Sequence, residues 1–222
     1  MIIMILINPR SVGSIIMKKI FLFTIILSMH SFAQTAYELP FASKGNIIEL
    51  AVANTSTTSM QNITVNVEEK PGWILFEKCE SLLSMIETNS EAPALFEFAV
   101  DKDAPIGEEG KIVFTVKSKN GDEWRKEINV EVSTPTTYEL SQNYPNPFNP
   151  TTTIEFIIPK DEKVVIKIYD VLGREVKTLL NELREAGHHE VEFNAAQFAS
   201  GMYIYRMTSG SYSQIKKMML VK

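Results

Sequence analysis

The side chains that are able to carry chemistry are few and scattered along the chain. His188 and His189 have the composition of a metal-binding pair, but neighbouring strand residues point to opposite faces, which makes joint ligation of one ion difficult. Cys79 is the single cysteine, and no histidine lies near it in sequence to act as its base. We therefore predict no metal at the histidines, and we predict that Cys79 is a small buried apolar residue.

The acidic residues give no stronger site. Asp101 and Asp103 precede Glu108-Glu109, but an EF-hand loop needs an oxygen ligand at Pro105 and a glycine at Ile106. A weak calcium site in a loop of a β-sandwich stays open as an alternative. Glycoside hydrolysis needs a cleft as well as two carboxylates, and the nucleophile-elbow motif is absent. We predict that the chain is not an enzyme and has no cofactor.

The N-terminus has the pattern of a secretory signal peptide. Lys18-Lys19 is followed by the apolar run Ile20–Leu27, and Ser31-Phe32-Ala33 places small residues before a cleavage site. We predict cleavage between Ala33 and Gln34, with Met17 as an alternative start. A transmembrane anchor is the other interpretation, but it needs about 20 uninterrupted apolar residues.

The charge of the chain argues against nucleic acid as a partner. The 222 residues have a net charge of −5, and the predicted cleavage removes Arg10, Lys18 and Lys19 but no acidic residue. The acidic excess that is left lies in residues 34–135. An acidic chain without a basic stripe lacks the electrostatic footprint of a DNA- or RNA-binding protein.

Residues 34–134 alternate in the manner of half-buried antiparallel strands. Apolar residues at every second position appear in short runs, such as Ile48, Leu50 and Val52, and Ile112, Phe114 and Val116. Asn120-Gly121 predicts a hairpin turn. Five to seven strands in about 100 residues favour a two-sheet sandwich of immunoglobulin type.

Residues 152–222 repeat this pattern in a second small domain. Alternating runs begin with Ile154, Phe156 and Ile158, and Ser209-Gly210-Ser211 predicts a hairpin turn near the end. Between the domains, Tyr144–Pro150 (Tyr-Pro-Asn-Pro-Phe-Asn-Pro) has three prolines, which forbid a helix and push the residue before each into an extended conformation. We predict that residues 135–151 are a stiff connector.

The second domain closely resembles the type A C-terminal sorting domain of type IX secretion, over Tyr138 to Lys222. The matching positions that we single out are Tyr144, Pro145, Asn146, Pro147, Phe148, Asn149, Pro150, Asp170, Gly173, Gly187, Gly201, Tyr203 and Lys217. The resemblance implies export across the outer membrane of a Gram-negative bacterium, by way of the periplasm. It also implies two partners, the secretion machinery and a cell-surface peptidase, and possible linkage to surface polysaccharide.

The first domain resembles the NEW3-type immunoglobulin-like module of secreted bacterial proteins. The resemblance rests on Asn54-Thr55, on Pro71-Gly72-Trp73 and on Val100–Gly107. A turn at Asn89-Ser90-Glu91 departs from the family pattern. Trp73 has two interpretations, a sugar-stacking ring or a plug in the core beside the Pro-Gly turn, and we favour the plug.

These patterns together predict an all-β protein: two immunoglobulin-like antiparallel β-sandwiches in tandem after a signal peptide. The domains are residues 1–33, 34–134, 135–151 and 152–222, and no membrane span is expected in the mature chain. The predicted function is non-enzymatic: a spacer or interaction module, secreted or on the cell surface, with its export signal. A carbohydrate-binding or adhesive module, and an accessory part of a secreted hydrolase, are the alternatives; an N-terminal signal peptide disfavours the second.

Overall fold

The computed structural model describes residues 3–8 and 36–222, and the chain divides into two compact units, Met1–Val132 and Ser133–Lys222. The cleavage site predicted at Ala33 and Gln34, and the apolar run before it, lie outside the described residues. The described part of the chain has no helix long and apolar enough to cross a membrane.

The described residues of the first unit form nine strands. They are β1 (Ile3–Asn8), β2 (Tyr37–Leu39), β3 (Asn46–Asn54), β4 (Met60–Glu69), β5 (Ile74–Phe76), β6 (Glu80–Ile86), β7 (Ser90–Val100), β8 (Glu109–Lys117) and β9 (Glu123–Val132). They make a four-stranded sheet in the order β1-β3-β7-β5 and a five-stranded sheet in the order β2-β9-β8-β4-β6. Strand β1 falls inside the segment that the sequence predicts to be removed.

Alternation along the strands builds the core of the first unit. In β3, Asn46, Ile48, Leu50, Val52 and Asn54 are buried, while the residues between them are half-buried. Strands of both sheets contribute to one hydrophobic cluster, in which the rings of Phe96 (β7) and Phe114 (β8) lie 5.2 Å apart. Burial of each such side chain contributes about 1.5–3 kcal/mol, so the two sheets are held together by their facing side chains.

The hairpin predicted at Asn120-Gly121 is present. Strands β8 and β9 pair antiparallel up to Lys117 and Glu123. Gly121 adopts a φ of 87°, a left-handed conformation that favours glycine. The Ser118 N–H donates to the Asp122 carbonyl over 3.0 Å and the Gly121 N–H donates to the Ser118 carbonyl over 3.1 Å, which closes the turn.

The sequence predicts the environments of two side chains in the first unit, Trp73 and Cys79. Trp73 packs against the hydrophobic cluster, as the core-plug interpretation requires. The prediction for Cys79 is wrong, because its side chain is exposed. Cys79 lies in the short link between β5 and β6, where the chain passes from one sheet to the other, and its neighbours Lys78 and Glu80 are exposed as well.

The second unit contains seven strands. They are β10 (Glu139–Leu140), β11 (Thr151–Ile158), β12 (Glu162–Tyr169), β13 (Glu175–Arg184), β14 (Gly187–Asn194), β15 (Gly201–Ser209) and β16 (Tyr212–Leu220). Their orders are β10-β11-β14 in one sheet and β13-β12-β15-β16 in the other. Both sheets contribute to a separate hydrophobic cluster that includes Phe156, Ile166 and Tyr205.

The all-β, sandwich-like prediction is confirmed by these sheets, while the immunoglobulin-type assignment stays a prediction. The proline-rich stretch differs from the connector that the sequence predicts. The second unit begins at Ser133, so residues 135–151 belong to it, and they include β10 and the buried Phe148.

Substitution of Gly110 by alanine tests the packing of Trp73. A Cβ atom at Gly110 would lie 2.6 Å from Pro71 Cγ and 2.8 Å from Trp73 Cζ2, so the ring and the proline would have to shift. We expect Gly110→Ala to lower the free energy of unfolding of the first unit by about 1–3 kcal/mol, the usual cost of overpacking. Urea denaturation followed by tryptophan fluorescence measures the loss.

Gly72→Ala is the matched control, because a Cβ atom there meets nothing within 4 Å. We expect this variant to stay within about 0.5 kcal/mol of the wild type. Equal losses in the two variants would contradict the packing described for Trp73.

Candidate recognition site in the second unit

The proline-rich segment Tyr144–Pro150 lies against the end of the last strand. The Met219 N–H donates to Asn146 Oδ1 over 2.9 Å, and the Phe148 N–H donates to the Met219 carbonyl over 2.9 Å. The Val221 N–H then donates to the Phe148 carbonyl over 3.0 Å. Residues about 70 positions apart in sequence thus form one continuous surface, which we call the C-terminal clasp (residues 144–150 and 217–221).

Phe148 anchors the clasp in the core. Its side chain is 1% exposed, and its ring centroid lies 6.0 Å from that of Phe193. The flanking Pro147 and Asn149 are exposed, and Tyr144 is 82% exposed. The segment therefore has an inner residue that stabilises the fold and outer residues that are open to solvent.

The other end of the segment is fixed by a buried amide. Asn143 is 2% exposed, and its Nδ2 donates to the Pro145 carbonyl over 3.1 Å and to Thr152 Oγ1 over 2.9 Å. Thr152 Oγ1 in turn donates to the Pro145 carbonyl over 2.8 Å. The Tyr144 N–H and carbonyl both pair with Thr153 of β11. The proline-rich segment is thus held by hydrogen bonds at its N-terminal end as well as at its C-terminal end.

Tyr205 of β15 joins this segment to the core. Its hydroxyl donates to the Ser141 carbonyl over 2.7 Å and accepts from the Asn143 N–H over 2.9 Å. Burial of the ring raises the pKa of Tyr205 to about 12, although the hydrogen bond from Asn143 acts in the opposite direction. Tyr205 is therefore neutral at physiological pH, and its hydroxyl remains a donor to Ser141.

Asp170 and Gly173 form a separate turn between β12 and β13. Asp170 Oδ1 accepts from the N–H groups of Leu172 and Arg174, and Oδ2 accepts from Arg174 Nε over 2.7 Å. These hydrogen bonds outweigh the effect of desolvation, so the pKa of Asp170 is lowered. Gly173 has a φ of 78°. The turn holds Val171 and Leu172 in the solvent, at 65% and 75% exposure.

The remaining predicted positions lie at the starts of strands or within them. Gly187 and Gly201 begin β14 and β15 with φ values of 132° and 150°. Tyr203 is 8% exposed, and its hydroxyl donates to the Ala199 carbonyl over 2.8 Å. Lys217 belongs to the clasp through its carbonyl, which accepts from Gln142 Nε2 over 2.7 Å, while its side chain is exposed.

The structure therefore brings together only part of the predicted set. Tyr144–Pro150 lies in the clasp, and Gln142, just before it, binds the Lys217 carbonyl. Asp170, Gly173, Gly187, Gly201 and Tyr203 shape turns and strands elsewhere in the unit. Sequence analysis missed Gln142, Asn143 and Tyr205. The signal available for Asn143 was its position as a polar residue directly before the proline-rich segment.

The first unit offers no comparable chemical site among the described residues. No group of three or more His, Cys, Asp or Glu side chains is placed there, or elsewhere in the described ranges, to hold a metal ion. At the loop considered for calcium, the Asp103 N–H donates to Asp101 Oδ1 over 2.9 Å. Every aromatic side chain of residues 36–132 is buried or half-buried, so no exposed aromatic stripe lies on the described surface.

Comparison with known proteins finds a family that matches most of the second unit. Residues 142–222 match the family model of the secretion system C-terminal sorting domain, which confirms the sorting domain predicted for this part of the chain. No curated protein matches the chain.

Among the solved structures that this chain resembles at a distance, two illustrate the level of similarity. Dimeric latent PorU from Porphyromonas gingivalis is 16% identical with a TM-score of 0.33, over 86% of this chain and 19% of that chain. The CupB2 chaperone of Pseudomonas aeruginosa is 11% identical with a TM-score of 0.29, over 84% of this chain and 98% of that chain. This chain spans less than a fifth of the length of that PorU, and likenesses at this level carry no argument about function.

Replacement of Tyr205 by phenylalanine tests the anchoring of the clasp. The variant leaves the half-buried Ser141 carbonyl and the buried Asn143 N–H without the hydroxyl that pairs with them. Leaving buried groups unpaired costs about 1–3 kcal/mol, so we expect a loss of this size in the free energy of unfolding of the second unit. Thermal and urea denaturation followed by circular dichroism measures it.

Tyr144→Phe removes the same hydroxyl from a ring that is 82% exposed. We expect this control to stay within about 0.5 kcal/mol of the wild type. If Tyr205→Phe were as stable as Tyr144→Phe, the role given to the Tyr205 hydroxyl would be wrong.

Proposed function

We propose that the second unit directs export of the chain through the type IX secretion system, and that the first unit is the cargo. The observation that carries the proposal is the match of residues 142–222 to the sorting-domain family. The route runs through the periplasm and across the outer membrane of a Gram-negative bacterium. The protein then acts in the medium or at the cell surface, as a spacer or interaction module.

The clasp supports a signal that is read in folded form. It needs Met219 and Val221 to pair with Asn146 and Phe148. The surface exists only when both parts are folded together, so a partner that reads it accepts the folded unit and not the unfolded segment. Cell-surface peptidase cleavage, and linkage of the rest to polysaccharide, belong to the same proposal.

Tyr144 is the residue of the clasp that we assign to recognition. Its side chain is 82% exposed, while its backbone is fixed on both sides by Thr153. An exposed aromatic ring on a rigid backbone is a frequent anchor in protein interfaces, because little conformational entropy is lost when it binds. Phe148, in contrast, is committed to the core.

Fractionation of producing cells tests the proposal. The full chain and a chain that ends at Val132, the last residue of the first unit, are expressed in a bacterium with a type IX secretion system. We expect the full chain at the cell surface or in the medium and the shortened chain in the periplasm. Export of the shortened chain at the level of the full chain would contradict the proposal.

Tyr144→Ala separates recognition from folding. Because the ring is mostly exposed, we expect the unfolding temperature of the second unit to stay unchanged while export falls several-fold. Leu183→Ala is the matched control, since Leu183 is 73% exposed and lies outside the clasp, on β13. Equal export of both variants would remove Tyr144 from the recognised surface.

The proposal includes the absence of enzymatic activity. Of the alternatives, the carbohydrate-binding module loses support, because the described aromatic side chains of the first unit are not exposed. An accessory role beside a secreted hydrolase remains compatible with a spacer. Hydrolysis of polysaccharide or peptide substrates by the purified protein would overturn the non-enzymatic part.

A further inference from the structure

The five-stranded sheet of the first unit has an edge strand that lacks the usual protection against pairing. Strand β6 (Glu80–Ile86) stands at the end of the five-stranded sheet, with β4 as its neighbour. An edge strand presents backbone N–H and C=O groups in the spacing of a sheet, and natural proteins guard such edges with charges, prolines, bulges or short length.

The long edges of the second unit's sheets carry such charges, and β3, which becomes the edge of the four-stranded sheet once the predicted signal segment with β1 is removed, carries Glu49 near its centre. Strand β16 has Lys216 and Lys217, β14 has Glu190 and Glu192, and β13 has charged residues throughout. The edge strands β2 and β5 are three residues long. Strand β6 has seven residues, Glu-Ser-Leu-Leu-Ser-Met-Ile, and its single charge is at its first position.

The side chains of β6 are also unusually open. Leu82 is 70% exposed and Met85 is 47% exposed. Leu82 is paired with Thr64 of β4, an uncharged residue, while Glu80, two positions before it, lies on the same face. A strand added to β6 would therefore gain backbone hydrogen bonds and apolar contact at Leu82, with Glu80 as the one carboxylate that each copy brings to the contact.

We propose that β6 is a self-association edge, on which β6 of a second copy of this chain adds antiparallel, with the two-fold axis at Leu82. Residues that oppose each other across an antiparallel pair lie on the same face of the sheet. Leu82 and Leu83 point to opposite faces and therefore cannot oppose each other. The two-fold axis must then pass through a residue that opposes its own copy. At Leu82 the register places Leu82 against Leu82 and Ser81 against Leu83. Glu80 of each copy then faces Ser84 of the other.

The strand is self-complementary in this register. The two exposed leucines cover each other, and the one carboxylate of each strand meets a hydroxyl rather than its own symmetry mate. In the alternative register, centred on Leu83, Glu80 would face Ile86, which leaves the carboxylate against an apolar side chain. Because the contact is isologous, it closes at two copies and does not lead to fibres.

The dimer is expected to be weak. Five opposed residue pairs bury far less than the about 1,200–2,000 Å² of a standard stable interface. The pairing is therefore concentration-dependent, and it becomes important where copies are held close together.

Sedimentation of the purified protein over a wide micromolar range tests the association. We expect a reversible shift from monomer to dimer and no larger species. Leu82→Lys places like charges on the two-fold axis, so this variant should remain monomeric. Leu95→Lys is the matched control: Leu95 is 56% exposed on β7, which is not an edge, and this variant should dimerise as the wild type does.

A wild type that stays monomeric at every concentration would overturn the proposal, because β6 would then not pair with a second copy of the chain. An equal loss of dimer in Leu82→Lys and Leu95→Lys would overturn it as well, since the contact would then not be at β6.

The single cysteine allows the register to be tested separately. Cys79 is exposed and lies directly before β6, and with the axis at Leu82 it faces Met85 of the second copy. We expect Met85→Cys to form a reducible, disulfide-linked dimer under mild oxidation, in yield well above that of Glu87→Cys. The introduced thiol in Glu87→Cys would face Cys79 only in the register centred on Leu83, so preferential cross-linking of that variant would contradict the stated interface.

Discussion

The second unit depends on the pairing of the proline-rich segment with the end of the last strand. Prolines have no N–H, so the segment has few backbone donors, and those of Tyr144 and Phe148 each find an acceptor. Asn146 supplies the acceptor for Met219 from its side chain. These bonds hold Phe148 in the core and keep Tyr144 in the solvent. One constraint thus creates both the stability of this corner and the surface proposed for recognition.

Much of the fold follows from local patterns that sequence analysis detects. The alternation in β3, β11 and β12 predicts strands because each buries every second residue, and Asn120-Gly121 predicts its hairpin because the turn needs a left-handed residue. The clasp was not predictable in this way. Its partners are about 70 residues apart, and a run of prolines has the local pattern of a linker whether or not a distant strand covers it.

The two units expose their edges differently, and this separates their proposed roles. The long edges of the sorting unit carry lysines, glutamates or an arginine, which oppose strand addition, and the end of β16 is already paired with the clasp. In the first unit, β6 exposes leucine and methionine, and its single charged residue is Glu80 at its start. The sorting unit is therefore suited to recognition through a fixed surface, and the first unit to contact through a strand.

Hydrogen exchange of the second unit tests the central claim, that the proline-rich segment is part of the folded unit. The amides to follow are those of Tyr144, Phe148 and Val221, with that of Ile166 in the centre of β12 as the reference. We predict that all four exchange only through unfolding of the unit, with similar protection. Rapid exchange of the first three, while Ile166 stays protected, would show a connector laid on the surface and would contradict the account.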